Sequence, residues 1–242
     1  MKNKIFNFIK DIFAPKKCYS CKKEWHFLCE ECFYKIEKKY FFDEICYVCK
    51  KYSKNFEVHK ECKKNIYFDK TIILTHYKIK LIKKLILDMK FYNKKEIVYD
   101  FIWFMIDKFI KYSKEELKVY KKNDFLVIPT PMSFFRKIFR WYNQTELIAH
   151  NFAKNFWFPY EKDIIIKSKH TRQQITLSRQ ERLVNLQKSF SIRQNQVDKV
   201  DKKIVILIDD VISTWTTVNE ISKILKNAWA KKIIVLTIAS WF

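Results

Sequence analysis

From Thr71 onward, short runs of β-branched and aromatic residues alternate with stretches whose apolar residues recur every three or four positions. Lys70–Tyr77, Asp124–Pro129, Ile164–Lys167, Lys203–Asp209 and Lys232–Ala239 read as strands, with Phe190–Ile192 as a further short one. Ile79–Lys90, Lys94–Tyr112, Asn143–Phe156 and Thr216–Asn227 have helical spacing, and Leu177–Gln187 is irregular or helical. Strands alternating with helices predict an α/β fold with a doubly wound, mostly parallel sheet, and Lys203–Asp209 reads as its central strand. Residues 18–62 differ: they have no long periodic segment and contain every cysteine of the chain. The pattern divides the chain into a short amphipathic helix over 1–17 that ends near Pro15, a metal-stapled module over 18–65 and an α/β domain over 70–242.

The cysteines are spaced Cys18-x2-Cys21-x7-Cys29-x2-Cys32, then Cys46-x2-Cys49, then His59-x2-Cys62. Each C-x2-C pair can form a knuckle that points two thiolates at one tetrahedral ion, and His59 supplies an eighth ligand. Eight ligands would fill two closed structural zinc sites, paired either sequentially or in an interleaved way; if one site forms, the Cys29/Cys32 or the His59/Cys62 pair is left over. No position is left open for catalysis by the metal.

The second chemical signal is Ile204-Val-Ile-Leu-Ile-Asp209-Asp210-Val211-Ile212-Ser213-Thr214-Trp215-Thr216-Thr217. A buried strand runs into two carboxylates, a hydroxyl-rich turn and a helix start. Asp209 and Asp210 can accept hydrogen bonds from vicinal sugar hydroxyls. The turn over Val211–Thr217 offers backbone N–H groups, four hydroxyls and a helix N-terminus to a phosphate. An Asp-Asp pair also often does no more than end a strand and cap a helix; four hydroxyl residues in five positions argue for more. Glycine is expected at the tightest point of such a loop, for positive φ and close backbone approach, yet Trp215 stands there.

Composition turns that oddity into a pattern. The chain has no glycine, where average usage of about 7% predicts roughly 17, and it has seven tryptophans. Trp229 sits where a helix should stop before a strand, Trp157 ends another helix before Pro159, and Trp25 follows a cysteine knuckle where the chain must turn. The spacing around Trp103 and Trp241 does not mark either as a glycine position. The pattern favours a codon translated here as Trp that the organism decodes as Gly over a Trp-bearing, partly degraded protein, because decay would not also empty the chain of glycine. The net charge is +23. That suits a polyanionic partner such as nucleic acid, and it equally suits the Lys-, Ile- and Asn-rich usage of an AT-rich genome. The six arginines, Arg136, Arg140, Arg172, Arg179, Arg182 and Arg193, all fall in one stretch, as expected of residues kept for bidentate phosphate contacts. No run has the length and purity of a membrane span: Phe101–Ile110 is short and carries Asp107. Without a signal-peptide pattern at 1–13, a cytoplasmic location is expected, which favours metal ligation over disulfides.

The Asp209–Thr217 segment resembles the 5-phosphoribosyl-1-pyrophosphate loop of type I phosphoribosyltransferases, with Trp215 on the usual glycine. More narrowly, nearly the whole chain resembles the ComF (ComFC-like) competence family, which joins a cysteine-rich zinc module to such a domain. The resemblance rests on the cysteines, Pro129-Thr130-Pro131, Arg140-Trp141-Tyr142-Asn143-Gln144, and Thr171-Arg172-Gln-Gln174-x2-Leu177-Ser178-x2-Glu181-Arg182-x2-Asn185. It implies that Asp209 and Asp210 act on the ribose and that residues 211–217 hold its phosphate. Thr130 with Arg136 or Arg140 would handle pyrophosphate, Lys169, Arg172 and Arg182 would form a hood over the site, and Mg2+ would bridge ligand oxygens. Blander readings make Glu181 and Arg182 a surface ion pair and Asn143-x2-Glu146 a helix-capping box. The implied function is a phosphoribosyltransferase-like role in DNA uptake; if catalytic, pyrophosphate is displaced at the anomeric carbon, with no evident general base for an acceptor. The other reading is a non-catalytic adaptor that reuses the phosphate site, with single-stranded DNA and a competence helicase as partners.

Overall fold

The computed structural model describes residues 15–40, 44–132, 142–167 and 189–241. Strands β1 (Lys70–His76), β2 (Phe125–Pro129), β5 (Ile204–Ile212) and β6 (Lys232–Ser240) form a parallel sheet in the order β1-β6-β5-β2, and β3 (Ile165–Lys167) pairs antiparallel with β4 (Phe190–Ile192). The helices are α1 (Glu30–Lys39), α2 (Lys80–Phe91), α3 (Ile97–Tyr112), α4 (Lys114–Val119), α5 (Gln144–Phe156) and α6 (Thr216–Asn227).

The unbroken apolar run of β5 follows from burial on both faces. Ile204, Ile206 and Ile208 enter a core shared with Leu85 of α2, Phe101 and Phe109 of α3, and Phe152 of α5. Val205 and Leu207, pointing the other way, meet Val218, Ile221 and Leu225 of α6 and Phe190 of β4. Two-residue strand periodicity therefore meets three-to-four-residue helical periodicity on each side. Removing such side chains from water contributes about 1.5–3 kcal/mol apiece. This is the α/β, doubly wound parallel sheet expected from the pattern.

The expected strands and helices recur with ends shifted by a residue or so, apart from four differences, one of them the added short helix α4. The central strand does not stop at Asp209 but runs on to Ile212, with Val211 opposite Ala239 and Ile212 opposite Ser240 of β6. Helix α3 starts at Ile97 rather than Lys94. Helix α1 lies inside the cysteine-rich segment, where no periodic element is expected. Its polarity follows the helix dipole all the same: Glu30 and Glu31 open it and Lys38 and Lys39 close it. Its Phe33 stacks on Phe104 of α3, with ring centroids 3.8 Å apart. The module is also fastened at the amino ends of β1 and β6, where Glu57 meets Lys232 at 3.0 Å and Glu116 takes both Lys232 and buried Lys70 at 2.7 Å. Most of the helix expected over 1–17, and all of Leu177–Gln187, lie outside the described residues.

The helix ends bear directly on the tryptophans. At the end of α6, Ala230 N–H reaches Leu225 O (3.0 Å) and Trp229 N–H reaches Lys226 O (3.0 Å). At the end of α5, Phe158 N–H reaches Ala153 O and Trp157 N–H reaches Lys154 O. Both are Schellman motifs whose C′ residue must be left-handed, the position where glycine dominates. Trp229 has φ 62° and Trp157 φ 57°, and both rings are 76% exposed, so packing does not offset the strain. Trp25, in the turn after the first knuckle, has φ 74°. Glycine at 157 or 229 is therefore expected to stabilise the tryptophan-bearing chain by about 1 kcal/mol each, read from thermal or urea unfolding. The same change at Trp103, exposed within α3, should cost about 1 kcal/mol.

Candidate functional site

Two clusters of metal-type donors form. Cys18, Cys21, Cys29 and Cys32 bring their ligand atoms within 4.8 Å of one another, and so do Cys46, Cys49, His59 and Cys62. The pairing is sequential. Both clusters are built alike, from a knuckle followed by a helix start. Lys22 N–H donates to Cys18 O (3.0 Å) as Lys50 N–H donates to Cys46 O (2.8 Å), while Cys18 and Cys46 donate in turn to Lys23 O and Lys51 O. Lys22 and Lys50 are both left-handed, φ 68° and 64°. Cys29 then stands at the N-cap position of α1, and His59 at that of the short 3-10 helix Lys60–Lys64. A zinc ion with Zn–S near 2.3 Å needs sulfurs about 3.8 Å apart. Cys21 Sγ and Cys29 Sγ at 3.5 Å, and Cys49 Sγ and His59 Nδ1 at 3.2 Å, fit that scale. The donors are thiols and one imidazole with no carboxylate, a set that suits closed structural zinc.

The second candidate lies at the carboxyl end of the sheet. Asp209 and Asp210 are neighbours near the end of β5 and diverge in environment. Asp210 is buried; its Oδ2 accepts from Gln144 Nε2 of α5 (2.8 Å) and pairs with Lys90 Nζ of α2 (2.9 Å). Burial alone would raise its pKa, but the Lys90 charge and the Gln144 amide outweigh it and hold the carboxyl below the usual range. Asp209 Oδ1 accepts from Thr130 Oγ1 (2.8 Å) and from the Asp210 N–H (2.9 Å). Burial, with the Asp210 charge beside it, pushes Asp209 up to about 7. The pair thus keeps one firm negative charge and one carboxyl that titrates near neutrality.

That difference has a measurable consequence. Between about pH 4 and 7 the folded chain keeps a proton on Asp209 that the unfolded chain has released. Stability should therefore fall across that window as pH rises, by on the order of 2–4 kcal/mol from this group. The difference in urea unfolding between wild type and Asp209→Asn measures it; parallel pH profiles would remove the claim.

Thr130, just past β2, is brought to Asp209 and tied to β5 by its own N–H on Ile208 O (2.8 Å). Ser213 and Thr214 are exposed, while Trp215, Thr216 and Thr217 are half-buried at the start of α6, whose first turn carries no acidic residue. Two expectations need correction. Val211 and Ile212 belong to the β5 ladder rather than to a loop, so the turn that can offer free N–H groups narrows to 213–217. Trp215 has φ −69°, right-handed, so positive φ is not what a glycine would supply there; close approach is the reason that remains. Its ring lies against Tyr47 and Phe68, 5.8 and 5.5 Å away.

Arg136, Arg140, Lys169, Arg172, Arg179 and Arg182 lie outside the described residues. Arg193 stands exposed, 3.9 Å from Asp163. Asn143 caps α5, accepting from Thr145 N–H (3.1 Å) while its amide meets Glu146 (2.8 Å), the capping reading of that motif. Lys90 and Gln144 are the partners that the sequence did not single out. Lys90 is one lysine among many, and only its place in the last turn of α2 turns it to Asp210. Tyr142 helps to place it, its hydroxyl donating to Met89 O. Gln144 is buried, and its Oε1 has no partner among the described residues.

No known family profile matches the chain. It is 35% identical over 113 residues to "Competence protein F" of Haemophilus influenzae, covering 47% of this chain and 49% of that protein. It is 34% identical over 125 residues to "Competence protein ComFC" of Streptococcus pneumoniae, covering 52% and 51%. The chain thus spans about half the length of the curated relatives it matches. Among solved structures, glutamine phosphoribosylpyrophosphate amidotransferase from B. subtilis aligns over 46% of this chain and 21% of that one, at 25% identity and a TM-score of 0.30. Trypanosoma cruzi hypoxanthine phosphoribosyl transferase aligns over 60% and 66%, at 12% identity and a TM-score of 0.38. Overlaps this loose say nothing about the site. With two donor clusters ahead of a parallel sheet, the chain is similar in sequence to two competence proteins over about half the length of each.

Proposed function

We propose that the carboxyl end of β5 binds a phosphorylated ribose of the phosphoribosyl pyrophosphate kind. The observation that carries this reading is the Asp209–Asp210 pair beside Thr130, with the Ser213–Thr217 turn and the start of α6 immediately after it. Asp210, kept ionised by Lys90, and Asp209 accept from the ribose hydroxyls. The turn hydroxyls and the first N–H groups of α6 hold the 5′-phosphate. The hard carboxylate oxygens of Asp209 and Asp210 would suit a Mg2+ ion bound together with pyrophosphate, and that ion would supply charge neutralisation. Transfer at the anomeric carbon would then depend on positioning and charge rather than on a covalent nucleophile. Thr130 and the arginines at 136, 140, 172 and 182, with Lys169, are the groups proposed for pyrophosphate.

Calorimetry of phosphoribosyl pyrophosphate with Mg2+ tests the reading; absence of heat at millimolar ligand would end it. The competence relatives support placing this activity in DNA uptake. An adaptor that holds DNA through the +23 charge is the competing reading. It predicts single-stranded DNA binding that falls steeply with salt and ignores Asp209→Asn.

We also infer that residues 25, 157 and 229 are glycine in the natural protein, through a codon that its organism reads as Gly. The left-handed φ at all three supports this. The intact mass of the natively expressed protein tests it, and a mass that accounts for seven tryptophans removes it.

A further inference from the structure

The geometry points to the Cys46–Cys49–His59–Cys62 cluster as the element that positions the Ser213–Thr217 turn, acting through Asn219 and Asp69. The inference rests on reading that turn as the anion-binding loop. The chain leaving Cys62 runs alongside α6 and is clamped to it at both ends. Near the start of α6, Asn219 Oδ1 accepts from Tyr67 N–H (2.9 Å) and Asn219 Nδ2 donates to Asn65 O (2.8 Å). The Asn219 N–H itself closes the first turn on Trp215 O (2.8 Å). Near the other end, Asp69 takes Lys226 Nζ at 2.8 Å, Lys63 Nζ at 2.7 Å and the Ile233 N–H at 2.8 Å. Tyr47, which lies between Cys46 and Cys49, is buried against the same turn.

The first cluster is anchored elsewhere. Phe27 and Leu28 N–H donate to Asp100 of α3 at 2.7 and 3.0 Å, and Phe33 of α1 stacks on Phe104 of the same helix. Among the described residues, it is the second cluster whose flanking chain is tied to α6. An N-terminal anion site works because its N–H groups are already aimed. A small rotation of α6 would spoil that aim, and Asn219 blocks rotation at the turn that matters. The clamp runs through main-chain groups, Asn219 and Asp69, so it holds with either Trp or Gly at 215. By linkage, whatever factor metal at the second cluster adds to ligand affinity, ligand must add to metal affinity there.

Hydrogen exchange on the full, zinc-loaded, ligand-free chain tests the coupling. Asn219→Ala, which retains both metals, should speed exchange of the 213–219 amides about tenfold while β5 and β6 keep their protection. Asn219→Asp, which keeps the acceptor for Tyr67 N–H, should fall between. Cys62→Ser should loosen the same amides and Cys21→Ser should not. With phosphoribosyl pyrophosphate and Mg2+ present, zinc affinity should rise at the second cluster alone. Unchanged exchange in Asn219→Ala, or equal loosening by Cys21→Ser, would overturn the inference. If the exchange results hold but the wild type binds no phosphoribosyl pyrophosphate, the ligand reading fails and the coupling stands.

Discussion

Chelation of the metal is expected to unfold the cysteine-rich segment and to give two zinc ions per chain on quantification. The segment from Cys18 to Cys62 has few apolar side chains of its own to bury: Leu28, Phe33, Tyr47, Phe56 and Val58 are the main ones besides the cysteines. A core this small does not offset the entropy of ordering about 45 residues at roughly 1–2 kcal/mol each. A structural zinc site contributes on the order of 10–16 kcal/mol at pH 7. The ligands must be deprotonated to bind, so metal and fold should be lost together as pH falls. Near-ultraviolet circular dichroism during a chelator titration measures the unfolding. Retention of the signal in metal-free protein would show that the clusters are not structural metal sites.

Asp209→Asn is expected to weaken Mg2+-dependent phosphoribosyl pyrophosphate binding about 10- to 100-fold while leaving the fold intact. A hydrogen bond from a sugar hydroxyl to a charged acceptor is worth about 1.5–3 kcal/mol. Asp209 titrates near pH 7 in the folded chain, so its ionised fraction can accept from the sugar while replacement by a neutral amide costs the fold little. Asp210→Asn should do equal harm to binding and more to stability. It strips the counter-charge from Lys90, which is only 15% exposed along its side chain. Breaking such a pair from one side costs about 3–5 kcal/mol. The two variants separate ligand contact from scaffold: binding lost in both with stability lost only in Asp210→Asn is the expected outcome. Calorimetry beside urea unfolding reads it, and undiminished binding in Asp209→Asn would remove that residue from the site.

Much of this was legible in the chain itself, for reasons that differ by element. The parallel sheet was readable because its strands are buried on both sides, which forces runs such as Ile204–Ile208 that few other structures need. The eight metal-type donors were readable because a tetrahedral ion imposes the two-residue spacing on a knuckle. The left-handed tryptophans at 157 and 229 were readable because a helix that stops before a strand needs a reversal at C′. Helix α1 was not, since ten residues with one narrow apolar stripe look like loop when cysteines supply part of the stripe.

What the sequence could not decide depended on which segments lie side by side. The sequential pairing of the ligands rests on where α1 and the Lys60–Lys64 helix sit, and spacing alone permits interleaving. The extent of β5 through Ile212 was set by β6, whose Ala239 and Ser240 continue the ladder past the carboxylates. The unequal character of Asp209 and Asp210 came from Lys90, Gln144 and Thr130, which reach them from α2, α5 and the end of β2. Two adjacent aspartates are chemically identical on paper. The long-range packing that puts a lysine against one and leaves the other beside a hydroxyl makes them different.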